Sequence, residues 1–121
     1  MFELHHAGSV VEVHVVGEFP REEGLRACTE AAAMPDIVGV LFDLREMTNV
    51  PALGRGPRLA DELPHLLPRR RIAFIARPGT ALYGVVRQIT ILTKAEMRLF
   101  NDRHVALAWL MEASGPKTSS S

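Results

Sequence analysis

The stretch Ile37-Val-Gly-Val-Leu-Phe-Asp-Leu44 constrains the fold of this chain more than any other. Its first six residues are apolar or Gly, and Asp43 arrives only as the run ends. A short apolar run of this kind suits a strand covered on both faces, as in a parallel sheet with helices above and below. The segment that follows, Arg45-Glu-Met-Thr-Asn-Val50, is largely polar and is expected to emerge at the strand's carboxyl end. Open α/β sheets present their ligand sites there.

The remaining elements can be arranged around that strand. Val11, Val13 and Val15 alternate with Glu12 and His14, and Phe2 and Leu4 alternate with Glu3 and His5. This period of two predicts a hairpin about Ala7-Gly8-Ser9 with one face in water. A helix is expected over residues 21–34, with Leu25, Cys28 and Ala32 on its apolar stripe and Glu22 and Glu23 complementing its dipole. After the central strand comes an irregular stretch over 49–56, then a helix over 57–68 that Pro57 can open and Pro64 should kink. A second apolar strand is expected over 71–76, and Thr80 is placed to cap the helix after it.

The segment 81–95 mixes helical spacing at Leu82, Val85, Val86, Ile89 and Leu92 with many β-branched residues. It reads as helix, because it exceeds a usual strand and a parallel crossover requires one there. A short strand over 96–100 and a last helix, capped at Asn101-Asp102 with Val105, Ala106, Trp109 and Leu110 inward, complete the domain. The order β-β-α-β-α-β-α-β-α predicts an α/β fold: a mixed sheet of about five strands with an N-terminal hairpin and about four helices. One domain is expected over 2–112, followed by a disordered polar tail over 113–121.

Charge and composition exclude several functions. Residues 1–50 carry three Arg against nine acids, a balance of −6, and residues 51–121 carry eleven Arg and Lys against five acids, a balance of +6. The Arg69-Arg-Arg71 run is short for a nucleic-acid patch. It reads as solvated surface pairing with the acidic half, with a basic face for phosphate groups, anionic lipid at a membrane surface or an acidic partner as the sharper alternative. The N-terminus lacks a secretory pattern and no apolar run spans a bilayer, so a cytoplasmic location is expected. A single cysteine, Cys28, agrees with a reducing compartment.

The candidate chemistry is sparse. His5 and His6 are adjacent and point to opposite faces of a strand, while His65 and His104 lack ligand spacing, so no metal or cofactor is expected. Cys28 lies on an apolar stripe and reads as a small hydrophobe. No nucleophile elbow or phosphate-binding loop is present, so no catalytic residues are assigned and the chain reads as non-enzymatic. Asp43 is expected to accept hydrogen bonds from the residues after it rather than to pair with Glu46. What remains is a rim: Arg45, Thr48 and Asn49 after one strand, Arg77, Gly79 and Thr80 after the next. Hydroxyls, an amide and two guanidiniums around helix N-termini can hold an anion. The same residues are also what two capped helices look like with nothing bound.

The hairpin, the Gly-Val-Leu-Phe-Asp and Arg-Ile-Ala-Phe-Ile-Ala strands, and the ending Glu96-Met-Arg-Leu-Phe-Asn-Asp with Ala106-Leu-Ala-Trp-Leu110 resemble the SpoIIAA-like family. These are small bacterial domains related to STAS and SEC14-type domains. The resemblance implies a non-catalytic regulatory module that binds a protein partner at the rim after the central strand. STAS domains are switched by phosphorylation in an Asp-Ser motif there. Met47-Thr-Asn-Val-Pro51 stands in its place, and Thr48 is the hydroxyl available for phosphorylation. The alternative implied by the SEC14 likeness is carriage of a lipid or other small apolar or anionic ligand beneath the 57–68 and 81–92 helices. The hairpin edge is a place where a homodimer could form.

Overall fold

Gly39–Met47 is the middle strand of the sheet, and its neighbours follow in chain order on either side. The structure, a computed structural model, describes residues 1–48, 65–67, 69–92 and 96–112. The elements are β1 (Phe2–Ala7), β2 (Val10–Gly17), α1 (Arg21–Ala32), β3 (Gly39–Met47), β4 (Arg71–Ile75), α2 (Ala81–Leu92), β5 (Met97–Phe100) and α3 (Arg103–Met111). The five strands lie in the order β1-β2-β3-β4-β5. β1 is antiparallel to β2, and β2 through β5 are all parallel. The expected mixed α/β sheet with an N-terminal hairpin is what forms. Three helices lie among the described residues. The helix expected over 57–68 falls outside them except for 65–67, as does the 113–121 tail.

The hairpin closes through Gly8-Ser9, with Ala7 opposite Val10 and Gly8 at φ 63. That left-handed backbone at the first central position is what a two-residue hairpin loop of matching twist demands, and Gly meets it without a steric penalty.

Strand alternation sorts the sheet into two faces. On the first, Val11, Val13, Val15, Val40, Phe42, Leu44, Ile72, Phe74 and Met97 pack against α1 and α2. Phe42 and Phe74 stack with ring centroids 5.5 Å apart. Each such apolar side chain contributes about 1.5–3 kcal/mol when fully buried. On the second face, Val10, Leu41, Ala73 and Ile75 pack against Ala106, Trp109 and Leu110 of α3.

Helix phase differs from expectation at two places. In α1 the buried stripe is Gly24, Ala27, Cys28 and Ala31, while Leu25 stays half-exposed. Small residues let the helix lie close on the valine-rich sheet, and that fit outweighs the larger apolar area of Leu25. In α3, Val105 is exposed, because the stripe through Ala106, Trp109 and Leu110 places it on the helix flank. Gly39 has a definite packing role. A Cβ there would lie 2.8 Å from Leu110 Cδ2 and 3.1 Å from Leu110 Cβ, so the bare backbone is what admits α3.

β3 also runs further than expected, so Arg45 lies within it rather than beyond its end. His14 pairs with Asp43, but Val16 pairs with Glu46, so β3 contains one extra residue between these points. Such a bulge bends a strand and re-aims its side chains. Here it returns Met47 to the first-face core and turns Glu46 toward His14 on the second face.

Candidate functional site

The second face is polar where β2 and the carboxyl end of β3 approach the start of α3. Glu12 and Asp43 are its two buried acidic residues. The alternation in β2 predicts a wet face at Glu12, but α3 covers it. Arg103, in the first turn of α3, donates from Nε to Glu12 Oε1 at 2.9 Å and from Nη2 to Glu12 Oε2. Asp43 is held from its own strand. Its Oδ1 accepts from the Arg45 backbone N–H at 3.2 Å and from Arg45 Nε at 3.0 Å, and its Oδ2 accepts from Arg45 Nη2 at 2.8 Å. Asp43 thus accepts from the residues after it, and Glu46 instead meets His14 Nε2 at 3.2 Å.

The electrostatics follow from these pairs. Burial by itself raises the Asp43 pKa, but the hydrogen bonds and charge of Arg45, with a smaller effect from His14, hold the carboxyl below its ordinary value. The Arg45 guanidinium is correspondingly raised, first by its bond to Asp43, and also by Glu46 and Asp102. Arg103 is raised chiefly by its bond to Glu12. A cation in a helix's first turn opposes the macrodipole. Asp102 offsets this by capping α3, accepting from the His104 N–H at 2.8 Å and the Val105 N–H at 3.3 Å. Sequence inspection missed Glu12, His14, Glu46 and Arg103 as one group. The signal available was an Arg at a helix start, where it would not be placed for helix stability.

The rim lies at the same end of the sheet, because β3 and β4 are parallel. Thr48 is exposed, and its backbone N–H donates to the Gly17 carbonyl at 2.8 Å, which pins the end of β3 to β2. Arg77, Gly79 and Thr80 are exposed beyond β4. Thr80 caps α2 as expected: its Oγ1 accepts from the Tyr83 N–H at 3.1 Å and donates to the Arg77 carbonyl at 2.7 Å. No hydrogen bond or ion pair joins Arg45 or Thr48 to Arg77, Gly79 or Thr80. Asn49 lies outside the described residues. Arg45 and Thr80 are occupied internally by Asp43 and by the cap, and among the described residues no side-chain partner meets Thr48 or Arg77.

The three consecutive arginines do not form a patch. Arg70 donates to the Ala32 carbonyl at the end of α1 at 3.4 Å, where a cation complements the helix dipole. Arg71 donates to the Trp109 carbonyl at 2.7 Å, lies 4.8 Å from the Trp109 ring, and is within 3.5 Å of Glu96 and of Glu112. Arg69 is exposed. A shallow open groove of about 350 Å³ beside Arg71 and Trp109 lies at the opposite end of the sheet from the rim. Leu82, Val86 and Ile89 of α2, half of the expected ligand lid, are buried in the first-face core. Among the described residues no group of three or more His, Cys, Asp or Glu could hold a metal ion. No described helix is long and apolar enough to cross a membrane.

This sheet order, with an edge hairpin and helices on both faces, is a mixed α/β fold of the SpoIIAA-like kind. A solved structure of an uncharacterized protein of the DUF3478 family from Shewanella loihica PV-4, with a SpoIIAA-like fold, superposes with a TM-score of 0.55. The match covers 91% of this chain and 92% of that one at 22% sequence identity, so the likeness is one of fold. No family model matches the chain, and no curated protein does.

Proposed function

We propose that the chain is a non-catalytic regulatory or binding module that engages a protein partner through the rim after β3. The observation that supports this reading is the exposure of Thr48, Arg77 and Gly79 beyond the carboxyl ends of β3 and β4, in a sheet whose first face is filled by its own side chains. Exposed residues of this kind suit docking of another surface. Its Thr48 hydroxyl is a place where phosphorylation would add charge and disturb docking.

The test is affinity capture with the wild type and with Thr48→Glu, each checked by circular dichroism. Thr48→Glu should remain folded, since the Thr48 contact is made by its backbone, and should lose the captured partner. Normal binding by Thr48→Glu would end the rim-switch reading. A reproducible added mass of lipid size on the purified protein, seen by native mass spectrometry, would transfer the assignment to ligand carriage.

A further inference from the structure

The outer edge of β1 is built to pair. The Val16 N–H donates to the Met1 carbonyl at 2.9 Å, continuing the register in which Phe2 faces Val15 and Glu3 faces His14. Antiparallel ladders alternate hydrogen-bonded and non-hydrogen-bonded pairs. Met1, Glu3, His5 and Ala7 therefore direct their backbone groups toward β2, and Phe2, Leu4 and His6 direct theirs outward. No described strand meets that side. Edges are commonly protected by charged side chains, lysine above all, by a proline, a bulge or a very short strand, or by a covering helix or loop. β1 carries the charged Glu3 but no lysine, proline or bulge, and it is a regular strand of six residues, whereas β5 at the opposite edge has only four.

We propose that β1 pairs antiparallel with β1 of a second copy of this chain about a dyad at Leu4, joining the two sheets into one. The register follows from two requirements. Outward backbone groups must face outward groups, and directly opposed residues must share a sheet face. Three registers centred on the strand meet both. Two of them set Glu3 against Glu3, or His5 against His5, and form four hydrogen bonds. The third sets Leu4 against Leu4 and Phe2 against His6, and uses every outward group in six bonds. It also sets Glu3 against His5 of the second copy twice.

That pairing extends an alternation already present in one chain. Asp43 lies opposite His14, His14 opposite Glu3, and His5 opposite Glu12, all on the second face. Across the dyad the line reads Asp43, His14, Glu3, then His5 and Glu12 of the second copy, so acids and histidines alternate throughout. Glu3 and His5 already meet at 3.3 Å within the chain, so the four side chains at the dyad form a square of alternating type. This surface is separate from the rim and does not depend on the reading of the rim.

The test is sedimentation of the full chain over a concentration series, with His6→Pro alongside. The His6 N–H points outward, so proline removes two of the six bonds between copies and none within the chain. Dimerisation should weaken at least about tenfold while the circular dichroism spectrum is unchanged. The register is read separately by mixing Glu3→Cys chains with His5→Cys chains. These positions would be non-hydrogen-bonded neighbours about 4.5 Å apart between Cα atoms, within disulfide reach. Cross-linking should occur in the mixture and not in either variant alone. A monomer at every concentration overturns the proposal, as does a dimer indifferent to His6→Pro or a cross-link formed by Glu3→Cys alone.

Discussion

Glu12 and Asp43 carry charge inside the fold, and each does so through one arginine. Removing Arg103 leaves Glu12 covered by α3 without its bidentate donor, and an uncompensated buried charge is costly. The Arg103 side chain is 40% exposed, which discounts the loss, so Arg103→Ala is expected to destabilise by about 1–2 kcal/mol in urea unfolding. Asp43 makes a pH prediction. Its folded pKa lies below the ordinary carboxylate value of about 3.9, so its contribution is present above that pH and lost as the pH falls through the folded value. Asp43→Asn should therefore be less stable at neutral pH and show a weaker stability loss below about pH 4, measured by denaturant titration across pH. Cys28 is fully buried, and burial pushes its thiol up to about 11. It should be inert to a thiol reagent in the native protein at neutral pH and react fully once unfolded. Asp43 was legible in the sequence because its partner lies two residues away. The Glu12–Arg103 pair was not, because 91 residues separate its members and only the docking of α3 brings them together.

Helix docking turns on small residues. Caps at Thr80 and Asp102 were legible because a cap is a local hydrogen bond between neighbours in the chain. The inward stripe of α1 was less so: Leu25 looks like the better core residue, yet Gly24, Ala27 and Ala31 face the sheet. Hydropathy registers how apolar a side chain is but not how closely two backbones must approach. Gly39 is a sharper case, since it lies in an apolar run where Ala would seem equivalent. Gly39→Ala is expected to cost about 1–3 kcal/mol by forcing Leu110 aside, and Leu110→Ala in the same chain should recover part of that loss in thermal unfolding. The bulge in β3 was also invisible, because alternation along one strand cannot show an extra residue against its neighbour.

Over the whole molecule, the mixed five-stranded sheet with its N-terminal hairpin was legible from element order and period, since each crossover needed a helix and each strand its own pattern, whereas the order of the strands across the sheet was not read from the sequence. The two halves of opposite charge were expected to pair broadly. Instead, most ion pairs among the described residues stay within one half, and Glu12–Arg103 crosses between them. In a β1-paired dimer the rims of the two copies would point in opposite directions, because the dyad reverses the strands. Such an assembly would bridge two partners rather than clamp one. α3 is the described helix that covers the second face, and it follows every described strand in the chain. During synthesis the sheet strands therefore leave the ribosome before their cover exists, with Val10, Leu41, Ala73 and Ile75 facing water. A sheet formed before the final turn of α3 emerges would lack the described helix that covers this apolar surface and would offer it to chaperones and to other nascent copies.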